Sequence, residues 1–357
     1  MGRAGGDSID RGGFEGRRSR RPSAWGGWLL VISAVGGFTA CYDRATRGGA
    51  RLRAEDTVVP EAQVGREEYG AVVWGLAYAP DGSRLAVATI DGGVSLKEVA
   101  TGRSWVLSDG PTGATRVLAF SPDGRVLAAG GQSTAVRFWE AATARELEPV
   151  RVPGERVDGL AFSPDGARLT VGRWDGPLGD WDWRRGRLCD GPPYPVGRAA
   201  RLAAAPDGRA LAVGDALGRV TVLGRSGVLW GVAAVRPRPV TSLAFSPDGA
   251  ALATASLYDS EVRVYDAASG ALRYAAGKGH LGVTSLAFSP DGSLLATADL
   301  DGKARLYDAK AGRERGSVSA GRALHALALS PDGSTLATGD HGGSVRYWSL
   351  PRALAAR

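Results

Sequence analysis

The tripeptide Pro-Asp-Gly recurs seven times in a fixed register, with its aspartate at Asp81, Asp123, Asp165, Asp207, Asp248, Asp291 and Asp332, at intervals of 42, 42, 42, 41, 43 and 41 residues. A period of this size is the mark of a repeat architecture, in which one small unit cannot bury its own apolar face and must stack on its neighbours. Five of the seven turns follow a variant of Leu-Ala-Phe-Ser, beginning at Leu76, Leu118, Leu160, Leu243 and Leu286. The fourth (Leu202–Ala205) and seventh (Leu327–Ser330) copies are looser.

Each unit reads as strands. In the sixth, Val283–Phe288 is a β run and Ser289-Pro290-Asp291-Gly292 a tight turn. Proline presets φ at the second turn position, aspartate bonds the local backbone, and glycine accepts a positive φ. Leu294–Ala298 makes a second strand, Lys303–Asp308 a third of alternating polarity, and Glu314–Val318 an outer fourth. Four strands in about 42 residues form one blade of a β-propeller. The expected fold is therefore all-β, a seven-bladed propeller of four-stranded antiparallel blades.

At this level of detail the chain resembles the WD-repeat family. Phe138-Trp139-Glu140, Val264-Tyr265-Asp266, Leu306-Tyr307-Asp308 and Tyr347-Trp348-Ser349 stand where that family carries Trp-Asp, and Gly279-His280 matches its Gly-His. Only one repeat keeps the Gly-His, and the first and fourth (Lys97-Glu98, Leu223-Gly224) lose the aromatic–acid pair. The family's Asp-His-Ser-Trp network is thus expected to be largely absent. The resemblance implies a non-catalytic scaffold for protein–protein interaction, and the Arg excess, with only four Lys among 44 basic residues, looks like the codon bias of a GC-rich bacterial genome.

After the third strand of the last repeat (Ser344–Ser349) the sequence offers no outer strand, whereas Thr57-Val58-Val59-Pro60 precedes the first repeat. We expect residues 57–64 to supply the missing strand and close the ring, which removes exposed edges. Pro60 is tolerable there because an outer strand has one free side.

Residues 1–56 read as an address. Residues 1–24 are basic, 25–41 are an apolar signal peptide or membrane anchor, and 42–56 a linker before the repeat body (57–350) and a tail (351–357). Arg17, Arg18, Arg20 and Arg21 precede an uncharged stretch, Pro22–Tyr42. Its length is close to the roughly 20 residues that span a bilayer, and the pattern is that of an export signal. Phe38-Thr39-Ala40-Cys41 resembles the bacterial lipobox, making Cys41 a lipidation candidate, and Ser19-Arg20-Arg21 resembles a twin-arginine signal. The expected location is the bacterial cell envelope, outside the cytoplasm, with membrane contact through residues 22–42. A cytoplasmic body is the alternative.

Charge argues against nucleic acid. The net charge is +7, but residues 1–54 hold ten Arg against four acids, leaving 34 basic and 33 acidic residues in the rest. A nucleic-acid binder concentrates positive charge on its folded body. The only cysteines are Cys41 and Cys189, with no metal-ligand spacing around either. No metal or cofactor is expected, and the propeller is expected to be monomeric.

Gly277-Lys278-Gly279-His280-Leu281-Gly282 fits G-x-G-x-x-G, but a dinucleotide site needs a helix next and here a strand follows. The three histidines (His280, His325, His341) read as structural or surface residues, and the ring of turn aspartates as turn chemistry, not a cation site. The position seven residues before each turn aspartate is more informative. It holds Trp74, Arg116, Asp158, Ala200, Thr241, Thr284 and His325. These enter the inner strands and would surround one mouth of the ring, joined by Ser133, Trp174, Tyr258 and His341 from neighbouring turns. Repeat register does not demand such residue types. The mixture suits a protein or peptide partner better than a phosphate backbone. The alternative is a propeller enzyme, a lactonase-like or other hydrolase, working in the same mouth.

Overall fold

The computed structural model describes residues 63–351, apart from 111–112, 155, 175, 190–193, 195, 197–198, 234–237, 258 and 260. Among the described residues are 28 strands, β1 to β28 in chain order, arranged as seven four-stranded antiparallel sheets. The inner strands are β2 (Val73–Tyr78), β6 (Thr115–Phe120), β10 (Val157–Phe162), β14 (Ala199–Ala204), β18 (Val240–Phe245), β22 (Val283–Phe288) and β26 (Leu324–Leu329). Each packs against the next, and β2 packs against β26, so the seven blades form a closed ring.

The core lies between blades. Each of seven apolar clusters is shared by two successive blades. The last unites Val73, Leu85 and Val87 of blade 1 with Ala337 and Val345 of blade 7. Leu85, Leu96, Leu127, Leu252, Leu295, Leu306 and Leu336 are wholly buried. Each such burial stabilises by ~1.5–3 kcal/mol, but only when the neighbouring blade is present.

Two devices set the spacing of blades. One is the Pro-Asp-Gly turn. Gly292 sits at φ 68°, and its N–H donates to Ser289 O at 2.9 Å. Asp291 accepts from Ser289 Oγ at 2.5 Å and from Ser293 N at 3.0 Å. In Asp123 the same pattern, led by the Ser121 hydroxyl and followed by the Arg125 amide, holds the carboxyl below the usual carboxylate range. The turns also touch one another around the ring. A Cβ added to Gly82 would lie 3.5 Å from Pro331 Cδ, and one added to Gly124 would lie 3.5 Å from Pro80 Cδ. Turn chemistry and blade packing together account for the aspartate ring.

The second device is closure. Blade 7 is β26, β27 (Thr335–Asp340), β28 (Ser344–Ser349) and, outermost, β1 (Gln63–Glu68). The missing strand does come from the N-terminal side, but from residues 63–68; residues 57–62 lie outside the described residues. The expectation followed the β-branched Thr57–Val59. An outer strand needs no such residues, and QVGREE is mostly solvent-facing. Its hold on the ring is polar. Glu67 pairs with Lys97 of blade 1 and accepts from Tyr69 at 2.9 Å and Tyr347 at 3.3 Å. Lys97 also lies 4.6 Å from the Tyr347 ring centre.

The expected loss of the family's hydrogen-bond network is partial. Blade 6 keeps His280, whose Nδ1 is 2.6 Å from Asp299 and whose Nε2 is 3.0 Å from the Tyr307 hydroxyl. Gly277–Gly282 is accordingly a loop from β21 (Leu272–Ala276) to β22, with no helix after it. Blade 7 keeps the other half, where Trp348 Nε1 donates to Thr338 Oγ1 at 2.9 Å. Blade 2 has the tryptophan but Ala129 at the threonine position, and the buried Trp139 Nε1 has no partner. Blade 6 has the threonine, Thr297, but Tyr307 in place of tryptophan, and Thr297 Oγ1 has no partner.

This pairing is testable by denaturant unfolding. Ala129→Thr should stabilise the chain by about 1 kcal/mol, by giving the Trp139 indole an acceptor beside a small hollow lined by Val94, Ala129 and Trp139. Thr338→Ala should destabilise it by about 1–3 kcal/mol, because it orphans the Trp348 indole.

Candidate functional site at the ring mouth

All seven inner strands carry the same irregularity. In β2, Val73 pairs with Thr89 and Gly75 with Ala88, so Trp74 is an extra residue opposite one partner. The register shifts at the equivalent place in β6, β10, β14, β18, β22 and β26. The skipped residues are Arg116, Asp158, Ala200, Thr241, Thr284 and His325. A bulge releases one residue from the ladder and re-aims its side chain. The position singled out by its distance from each turn aspartate is therefore the bulge position. The turns that open the same rim are tied to it: Trp174 N donates to Arg156 O at 3.2 Å and His341 N to Ala323 O at 2.8 Å.

The rim is chemically lopsided. On blades 7, 1 and 2 it is a stack. Trp74 and His325 lie face to face with ring centres 5.1 Å apart and 10° between planes. Arg116 covers Trp74 at 5.4 Å, and His325 Nε2 lies 3.2 Å from His341 Nδ1. On blade 3, Arg156 donates to Asp158 Oδ2 at 2.8 Å and lies 4.2 Å from the Trp174 ring centre. Arg201 of blade 4 donates to Thr241 O at 2.7 Å and to Asp158 O at 3.3 Å. On blades 5 and 6 the hydroxyls are committed to the backbone of the following blade. Thr241 Oγ1 donates to Val283 O at 2.6 Å, and Thr284 Oγ1 to Leu324 O at 2.8 Å.

The structure thus brings Trp74, Arg116, Asp158, Trp174, His325 and His341 into one facing arc, and makes Thr241 and Thr284 clips between blades. Ser133 opens blade 2's turn, where Ala135 N donates to its Oγ at 3.1 Å. Tyr258 and Cys41 lie outside the described residues. Arg156 and Arg201 were missed by the sequence reading. Arg201 sits one place after the bulge, where the other blades carry Gly75, Val117, Gly159, Ser242, Ser285 and Ala326. Comparing that column would have revealed it. Among the described residues no three or more His, Cys, Asp or Glu side chains gather as a metal-binding group.

Burial shapes the charges in this arc. His325 is pushed down from 6.5 to about 4, chiefly by burial and then by His341, with Asp340 opposing. Arg116 is lowered by burial first, then by Arg156, with Asp158 acting against the shift and Arg201 adding to it. For His325 the linkage has a definite sign. The unfolded chain binds this proton near pH 6.5 and the folded chain only near pH 4, so acid favours unfolding across that window. His325→Phe keeps a ring against Trp74 but cannot titrate. Urea unfolding at pH 7, 5.5 and 4.5 should show wild type losing stability relative to this variant as pH falls. A constant difference would remove the histidine from that dependence.

Four segments of the chain, residues 105–140, 236–266, 274–308 and 316–349, match the WD40 family (WD domain, G-beta repeat). They cover the first three strands of blades 2, 5, 6 and 7, and three of them, all but 236–266, also take in part of the outer strand before. No curated protein is significantly similar to the chain. WD40 repeats are usually non-catalytic scaffolds for protein interaction. The chain is thus a seven-bladed β-propeller, four of whose blades match WD40 repeats.

Proposed function

We propose that this propeller is a non-catalytic platform that docks a protein or peptide partner across the ring mouth. The observation that carries the reading is the bulge ring: seven released positions at one rim, of which Trp74, Arg116 and His325 belong to neither the apolar core nor a turn, while Asp158 is buried against Arg156 beside them. Trp and Arg are the residue types most enriched among energetic anchors of interfaces. Stacking of Trp74 on His325 and Arg116 on Trp74 fixes their rotamers before a partner arrives, which lowers the entropic cost of binding.

Trp74→Ala and Arg116→Ala should each weaken partner capture by roughly 1–3 kcal/mol, while Asp123→Ala on the opposite rim should leave it unchanged. A pull-down from the native cell followed by titration with the recovered partner decides. Full capture by both rim variants, with loss in Asp123→Ala, would reverse the assignment of faces.

The proposed workplace is the outer side of a bacterial membrane, from the address read in residues 1–56. Among the described residues no helix is long and apolar enough to cross a membrane. If Cys41 is lipidated, Cys41→Ala should abolish detergent partitioning, and mass spectrometry of the wild-type chain should find Cys41 as its first residue. An unlipidated first residue upstream of Cys41 would favour an uncleaved anchor.

A further inference from the structure

Among the described residues, the arc from blade 2 to blade 4 sets three guanidinium groups, Arg116, Arg156 and Arg201, around one carboxylate, Asp158. The three lie close enough for Arg116 to feel both neighbours. Asp158 is buried, at 2% exposure, and is already engaged: Arg156 holds its carboxylate at 2.7 Å and Arg201 its carbonyl. Arg116 is left over. Its Nε is buried and has no hydrogen-bond partner, and its guanidinium rests on the Trp74 ring. A buried guanidinium donor without an acceptor is costly, and a partly enclosed cationic rim concentrates field toward an incoming anion. Planar guanidinium groups match carboxylates two bonds at a time.

Resting on the platform reading, we propose that this sector recognises an acidic peptide segment, with an Asp or Glu side chain accepting from Arg116 beside the Trp74 and Trp174 rings. A peptide fits better than a nucleic-acid strand. Asp158 sits within the cluster and would repel a continuous polyanion, and the 303 residues from 55 onward carry 34 basic against 33 acidic residues, so the excess is local. A single carboxylate beside an aromatic face is what one guanidinium resting on the Trp74 ring can hold. The threonines of blades 5 and 6, committed to backbone carbonyls, add no charge, so the acid should bind off the ring axis, toward blades 2 to 4.

Random dodecapeptides displayed on phage, panned against the immobilised full-length chain, test this. Peptides that Trp74→Ala fails to retain should carry Asp or Glu. As synthetic peptides they should lose at least tenfold in affinity when that acid becomes Asn or Gln. They should lose a similar factor against Arg116→Gln, whose melting temperature is checked first. The peptide-side substitution needs no altered protein, so the test survives a variant that fails to fold. Mouth-dependent peptides without an acid would overturn this inference and leave the platform reading standing. Enriched peptides indifferent to Trp74 and Arg116, or no enrichment at all, would overturn both. Displacement of the peptides by a single-stranded oligonucleotide at equal charge concentration would assign the sector to a phosphate backbone instead.

Discussion

No blade of this protein can bury its own apolar face, so the interaction on which everything else depends is the one that makes the ring endless. Every cluster of buried residues is shared by two blades, and an open chain of blades would leave two such faces wet. Closure falls to β1 on β28, a pairing of a polar strand with an edge. Its specificity resides in Glu67, which ties Lys97 of blade 1 and Tyr347 of blade 7 to the closing strand. Burial and that carboxylate push the Tyr69 and Tyr347 hydroxyls well above their ordinary range, so both stay protonated donors. Lys97 occupies the place of a repeat tryptophan. The departure from the repeat pattern in blade 1 is therefore a fitted part of the seam.

The two rims of the ring are built by opposite means. At one, seven Pro-Asp-Gly turns repeat the same backbone bond, each proline resting against the glycine of the next blade; five add a serine hydroxyl on the aspartate, and only Ala79 and Ala205 depart from that pattern. At the other, the bulge frees one residue per blade from the ladder, and the seven are all but unalike. Strand geometry sets where each side chain leaves the backbone, and the repeat leaves its identity open. Rigidity of position with freedom of type is the condition for a recognition surface.

Much of this was legible in the sequence for reasons that can be named. Turn chemistry is local, so Pro-Asp-Gly and its spacing carried blade number, strand order and the rim to which Trp74 and His325 belong. Aromatic endings at Trp139, Tyr265, Tyr307 and Trp348, three of them followed by an acid, stand in the four blades that match the family, although Trp181-Asp182 of blade 3 has the same ending without a match. What escaped was non-local. The closing strand is misplaced in a sequence reading because its bonds are to residues some 280 positions away, and nothing in QVGREE announces a strand. The half-networks of blades 6 and 7 depend on which neighbour a side chain reaches, such as Tyr307 turning to His280. Arg201 joins Asp158 only across blades, 43 positions away, whereas Arg156 lies two residues ahead of Asp158 and is passed over because it stands before the inner strand.

The places where the repeat fails also differ in kind. Ala129 beneath Trp139 and Thr297 beside Tyr307 are losses without evident compensation: each leaves a buried polar atom unpaired, and the packing of Leu127 and Leu295 around them carries the blade regardless. Arg116 is also unpaired at Nε, but it lies at the rim, against an aromatic face and beside two other guanidinium groups. A core orphan is a local cost that closer packing or a better pair would remove. Arg116 is only half-buried as a residue, so an acceptor from outside can meet its guanidinium even though Nε itself is covered. Local rules are expected to break at functional positions and to hold elsewhere, and here the distinction between the two kinds of breakage rests on whether the group that bears the orphaned atom can be reached.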